Sequence, residues 1–237
     1  MSLTDKVVAI AGAAGGLGPT VARAFADEGA RLAVAGRNPA DLDQLLDRLN
    51  LPAARRLTSA VDLTDEMAAR GWAGQISDTF GRVDVVLHLV GGYKGGALIE
   101  DTPAADWEFV YNLLIKTTLN VARAFVAPLK TGGQGRFILV SSPRAQTPTA
   151  KTAIYGMAKA ASEALTLALA DEFKGSGATA NIVVVNSIVT PDMRAAEPAK
   201  DYSKSTSAEE IAQAMLYLCS DAASAVNGTR LPLTGRG

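Results

Sequence analysis

The stretch YGMAKAA, residues 155–161, sets a tyrosine and a lysine four positions apart among small, mostly apolar residues. On a helix that spacing stacks both side chains on one face, a turn apart. A free phenol, with a pKa of ~10, is a reluctant acid–base group at neutral pH, and an ammonium beside it favours the phenolate and draws it toward a working range. Tyr155 and Lys159 can therefore exchange protons with a bound molecule. The alternative is that the lysine stem lies along an apolar surface with its head in water. A hydroxyl, Ser142, closes the apolar run LVSSP upstream of the pair. It stands where a strand would end, and doubly wound sheets bind ligands at that end.

A second kind of chemistry is offered by AIAGAAGGLG, residues 9–18. Gly12 permits a tight turn, Gly16 lets the backbone approach a pyrophosphate, and Gly18 allows a helix to pack closely on the strand. Gly15 and Leu17 lie in the same loop, and the exposed N–H groups and positive dipole end of the helix that follows make an anion site. The next strand, RLAVAGRN, ends in Gly36-Arg37, where an NAD-selective site carries an acid for the ribose 2′-hydroxyl. An arginine there pairs with a 2′-phosphate, so NADP(H) is expected in preference to NAD(H); otherwise Arg37 merely faces solvent. In AVDLTD, Asp62, followed by Leu63, is placed to accept from an adenine amino group or to cap the next helix.

The elements that must carry these residues are legible as apolar, β-rich runs at 7–11, 31–35, 57–61, 83–90, 136–141 and 182–188, with helical stretches between most of them. Continuous apolar runs of this kind mark strands covered on both faces, and their alternation with helices predicts an α/β, doubly wound parallel sheet. Helical segments are expected over 17–28 with a stop at Gly29, from Asn38 with Pro39 in the first turn, and after Thr102 with Pro103. No linker or repeat divides the chain, so one domain over 1–237 is expected. Substrate loops are expected at about 91–102 and 190–207, the second being polar and without a period.

Composition excludes several classes. With 23 basic and 24 acidic side chains the net charge is −1, which makes nucleic acid and anionic membranes poor partners. No apolar stretch reaches the ~20 residues of a membrane span. The N-terminus enters an apolar strand almost at once, without a charged region and cleavage site, so a cytoplasmic location is expected. The one cysteine, Cys219, cannot form an internal disulfide, and His88 is the one histidine; both read as structural, and no metal is expected.

Taken in order, the glycine motif at 12–18, Arg37, Asp62, VYNLL with Asn112, LVSSP with Ser142, YGMAK and VVVN ending at Asn186 resemble the short-chain dehydrogenases/reductases along essentially the whole chain. The resemblance implies a Rossmann fold of about seven strands with helices on both faces. It also implies reversible reduction of a ketone or ketoacyl-type carbonyl by a nicotinamide dinucleotide. Tyr155 would be the general acid/base and Lys159 its electrostatic partner, which also hydrogen-bonds the nicotinamide ribose. Ser142 would donate to the substrate oxygen, and Asn112 would hold a water in a proton relay to Lys159. Gly91 keeps its role as a small residue against the cofactor, and Ile188 and Thr190 fall at the nicotinamide amide. Pairing of helices at about 104–127 and 153–173 implies a homodimer or homotetramer.

The chain also departs from the family pattern. HLVGG stands in place of Asn-Asn-Ala-Gly, the Pro-Gly after Asn186 is missing, and no acidic residue is found in RLPLTGRG near the C-terminus. GGYKGG, YGMAKAA and TPDMRAAEPAKDYS resemble the branch containing dihydropteridine reductase. The animal members of that branch lack the serine and favour NADH, and Ser142 and Arg37 depart on both counts. A general carbonyl reductase is the leading expectation and a pterin reductase the second; a non-catalytic NADP(H)-binding homologue is the third.

Overall fold

The computed structural model describes residues 3–235. Its centre is a parallel sheet of seven strands in the order β3-β2-β1-β4-β5-β6-β9. These are β1 (Val7–Ala11), β2 (Arg31–Gly36), β3 (Arg56–Ala60), β4 (Val85–His88), β5 (Arg136–Ser141), β6 (Thr179–Val185) and β9 (Arg230–Leu233). Side chains alternate across each strand. Val8 and Ile10 of β1 therefore pack with Phe25, Leu46 and Met215 on one face, and Val7 and Ala9 with Trp72, Phe125 and Phe173 on the other. The first face is covered by α1 (Gly18–Asp27), α2 (Pro39–Arg48) and α8 (Ala208–Cys219), the second by α3 (Glu66–Phe80), α5 (Thr117–Thr131) and α6 (Ala153–Glu172). Strands covered on both sides explain why these segments read as unbroken apolar runs.

The helix boundaries follow local chemistry. Beyond α1, Gly29 has φ 89°, the left-handed conformation that stops a helix at little cost in glycine. Asn38 Oδ1 accepts from the N–H of Ala40 at 3.1 Å and so starts α2. Asp65, rather than Asp62, caps α3, accepting from Met67 and Ala68.

Three elements differ from the sequence reading. The helix expected over 104–127 is α4 (Ala104–Val110), a π turn at Tyr111–Lys116, and α5. β6 ends at Val185, before the expected 188: Ile188–Val189 form a separate strand, β7, paired with β8 (Thr206–Ser207). The segment after it is partly ordered into elements, because the Thr190 hydroxyl accepts from Met193 N and opens α7 (Pro191–Ala196). Tyr202 Oη then donates to the Met193 carbonyl at 2.9 Å, fastening the return of this segment.

Candidate active site

The strand order reverses between β1 and β4, and the crevice beyond the carboxyl ends of such strands is where doubly wound sheets bind ligands. A cleft in two adjoining lobes opens there. One lobe, of about 520 Å³, is lined by Gly12, Gly15, Arg37, Asp62, Leu63, Gly91 and Asn112, among others. The other, of about 400 Å³, is lined by Gly12, Gly15, Gly16, Leu17, Gly18, Gly91, Tyr155, Lys159, Ile188 and Thr190, among others. Every site residue read from the sequence except Ser142 lines one of the two lobes. Ser142 is buried just behind, directly after β5.

The glycines of the first loop fall into two groups. Gly12 has φ 79°, and a Cβ there would lie 2.9 Å from Val90 N; a Cβ on Gly18 would lie 1.9 Å from the Ala13 carbonyl oxygen. The fold itself demands both. A Cβ on Gly16 would meet nothing nearer than Thr190 Cγ2 at 4.0 Å, and one on Gly91 only the Leu89 carbonyl oxygen at 3.7 Å. Packing does not exclude side chains at those two positions; their smallness leaves room in the cleft. Leu17, the N-cap of α1, provides no side-chain hydrogen bond to the first turn; Gly18 N–H donates to the Gly15 carbonyl and Pro19 has no N–H, so the helix end offers an anion the Thr20 N–H, beside the backbone of Gly16 and Leu17. Open glycines beside such donors fit a dinucleotide pyrophosphate.

In the first lobe Arg37 is exposed beside Gly36 and Asn38. Asp62 Oδ1 accepts from the backbone N–H of Thr64 at 2.9 Å and from its hydroxyl at 2.8 Å. These bonds, with a smaller contribution from the Arg37 charge, hold its carboxyl below the usual range. Since Asp65 takes the capping role, the Asp62 carboxylate is left at the cleft.

Around Tyr155 the environment is drier. Lys159 is buried, and its Nζ donates to the Val140 carbonyl at 2.9 Å; burial lowers the amine to about 8, with Glu163 acting to raise it. The phenol of Tyr155 is pushed up from its ordinary value, first by burial, with the Ser142 hydroxyl acting to lower it and Tyr93 to raise it. Lys159 Nζ is engaged by a backbone carbonyl, and without a bound dinucleotide the phenol is governed first by burial.

Tyr93, unremarked in the sequence beyond its place in GGYKGG, packs edge-on against Tyr155, with ring centroids 5.1 Å apart. Ser142 Oγ also accepts from Arg144 N at 3.3 Å, which fixes the hydroxyl at the turn leaving β5.

Asn112 is exposed and lines the lobe that contains Arg37, whereas Tyr155 and Lys159 line the adjoining one. It lies in the π turn, which is held to α6 at Leu114, whose carbonyl accepts from Ser162 Oγ at 2.9 Å. His88, at the position of the missing asparagine, is fully buried, and its Nε2 lies 3.1 Å from Thr118 Oγ1. Burial first, then the Lys159 charge, lowers its imidazole to about 3. His88 therefore ties β4 to the start of α5 as a neutral ring.

A family model described as enoyl-(acyl carrier protein) reductase matches residues 12–235. The chain belongs to the short-chain dehydrogenase/reductase family, whose members are NAD(P)-dependent oxidoreductases. It is similar to meso-2,3-butanediol dehydrogenase from Serratia marcescens, at 29% identity over 99% of this chain and 95% of that one. Among solved structures it superimposes on a short-chain type dehydrogenase/reductase from Mycobacterium ulcerans at 26% identity, with a TM-score of 0.89 over 98% of this chain and 90% of that one. It also superimposes on levodione reductase at 25% identity, with a TM-score of 0.87 over 98% and 97%.

Proposed function

We propose that the protein reduces a ketone or ketoacyl-type carbonyl to an alcohol, reversibly, with NADP(H) preferred over NAD(H). The observation that carries this reading is the placement of Tyr155 and Lys159 in the lobe that contains the open glycine loop, with Ser142 buried directly after β5. The bound dinucleotide would supply the hydride. Tyr155 holds a proton at Oη and gives it to the carbonyl oxygen as charge develops there. Its raised pKa favours the protonated form that reduction needs. Ser142 donates to the same oxygen and stabilises the alkoxide. Lys159 sets a positive charge behind the pair, and Asn112 would hold a water in the relay to it.

Gly12, Gly15, Gly16, Leu17 and Gly18 would face the pyrophosphate. Arg37 would take the 2′-phosphate, Asp62 and Leu63 the adenine, and Gly91, Ile188 and Thr190 the nicotinamide side. Relatives named for butanediol and levodione support an alcohol–carbonyl pair as substrate class. Exposed apolar side chains at Ile99 and Met157, which line a hollow of about 520 Å³ beside α6, and at Tyr111 and Leu119 support a homodimer or homotetramer. Among the described residues no helix is long and apolar enough to cross a membrane; with one buried thiol, Cys219, this supports a cytoplasmic reading.

The test is NADPH oxidation by purified protein over a panel of ketones, ketoacyl thioesters and quinonoid dihydropterin. Turnover with a ketone or ketoacyl thioester is expected. Turnover confined to the pterin replaces the substrate class, and cofactor binding without turnover across the panel makes the protein a nucleotide-binding homologue.

A further inference from the structure

Behind the catalytic lysine lies a carboxylate that the reaction as described does not use. Glu163 is one helical turn beyond Lys159 on α6 and is 1% exposed. Its two oxygens are separately engaged: Oε1 accepts from Ser141 Oγ at 2.6 Å, and Oε2 accepts from Arg230 Nε at 2.6 Å. Arg230 comes from β9, the last strand of the sheet, and is partly exposed. Ser141 sits between Val140, whose carbonyl receives Lys159 Nζ, and Ser142, the hydroxyl that meets Tyr155. Successive turns of α6 thus grip successive residues at the end of β5, and the C-terminal strand closes the arrangement from the other side.

A carboxyl group adding only packing would not need to be ionised where an apolar residue could fill the space, since withdrawing charges from water is costly unless they are paired. Here the cost is met next to the one amine the chemistry employs. We propose that Glu163 is a positioning residue: paired with Arg230, it holds the charge of the buried Lys159 ammonium and fixes the strand end that presents Ser142. This rests on the proposed role of Lys159. The other groups facing the amine do not replace it. His88 on β4 is a neutral ring; Tyr155, on the same face of α6, is a protonated phenol; the Val140 carbonyl of β5 carries no net charge; and Arg230 of β9 acts through Glu163. Glu163 is accordingly the carboxylate that raises the Lys159 amine against the effect of burial.

The test is the titration of Lys159 in the ligand-free protein, followed by the ¹³Cε resonance of labelled lysine and assigned with Lys159→Met. Glu163→Gln keeps the size and an accepting oxygen but removes the charge. It is expected to lower the midpoint of Lys159 by about one pH unit, as for loss of a neighbouring opposite charge. Arg230→Met leaves the carboxylate without its counter-charge and is expected to move the midpoint upward. The alkaline limb of kcat/KM should move in the same directions. An unmoved midpoint in both variants, even with a lowered melting temperature, overturns the proposal and leaves Glu163 a structural pair. If Glu163→Gln does not fold, Arg230→Met decides alone: an upward shift supports the proposal and an unchanged midpoint overturns it. Shifted midpoints with unshifted rates uphold the Glu163 assignment and instead remove the charge of Lys159 from the mechanism.

Discussion

Two regions at the cleft are built by opposite means. The glycine loop and the rim at Arg37 and Asp62 are shaped by side chains that are missing and by charges at the water boundary: open glycines, a helix end without a side-chain cap, and the exposed Arg37. The seam around Tyr155 is shaped by side chains that are present and dry: Lys159 on the Val140 carbonyl, Glu163 between Ser141 and Arg230, and His88 against Thr118. Groups at the rim keep solvent close and respond to local hydrogen bonds, as Asp62 does to Thr64. In the seam, burial is the leading influence on Tyr155, Lys159 and His88 alike. A ligand gains affinity from the shape and charge of the loop and rim, whereas the seam sets proton affinities.

If that division is right, variants in the seam should alter turnover or acid stability, and variants in the loop should alter cofactor affinity. The largest effect is expected from Tyr155→Phe, which removes one oxygen. Turnover should fall by about 10²–10⁴-fold, while NADPH binding, read by nicotinamide fluorescence, stays within a few-fold of the parent. Comparable loss of both would erase the distinction between the loop and the seam.

Acid stability comes next. His88 titrates at about 3 when folded and at ~6.5 when unfolded, so the unfolded chain binds more protons between those values. The stabilisation is fully present above pH ~6.5 and is lost as pH falls toward 3, by a few kcal/mol in total. Because His88 is the chain's one histidine, urea midpoints measured from pH 7 to pH 4 should drop less steeply in His88→Gln than in the parent. Parallel curves would show that the buried ring is not the acid-labile group.

Within the glycine loop a matched pair separates fold from ligand. Gly18→Ala should cost about 1–3 kcal/mol of stability through overpacking against Ala13. Gly16→Ala should leave the melting temperature nearly unchanged but weaken NADPH binding by about ten-fold, close to ~1.4 kcal/mol. Equal destabilisation by both would mean that Gly16 is also a packing glycine. The smallest effect is expected at the rim. Arg37→Ala should reduce the preference for NADPH over NADH by roughly ten-fold, consistent with one charge-assisted contact near water, read from the ratio of the two dissociation constants.

How much of this was legible in the sequence follows the same division. β1 was readable to the residue, Val7–Ala11, because a strand buried on both faces needs an unbroken apolar run. Asn38 and Gly29 marked helix ends through chemistry that acts over two or three residues. The glycine loop was readable for the same reason, since its constraints are local backbone ones. The seam was only half readable: Tyr155 and Lys159 are four positions apart, but the direction of the Tyr155 shift depends on Tyr93 and on burial, which no spacing encodes. Glu163 meets Ser141 across 22 positions and Arg230 across 67, so it was invisible as part of a site. The π turn at 111–116 was not legible either, because a helical period of apolar residues does not mark a locally widened turn.

That π turn has an evolutionary consequence. It behaves as one surplus residue accommodated inside a helix, so deleting a single residue between 111 and 116 would leave an uninterrupted α-helix. Because the wide turn absorbs that residue locally, the helical segments on either side would keep their facing, and Trp107 and Val110 would stay in the small cluster they form with Ala158 and Tyr155. A one-residue length change here would therefore reshape only the wide turn that carries Asn112 and Leu113 at the cleft, offering a lineage a short route to a differently lined cleft with the rest of the helix in place.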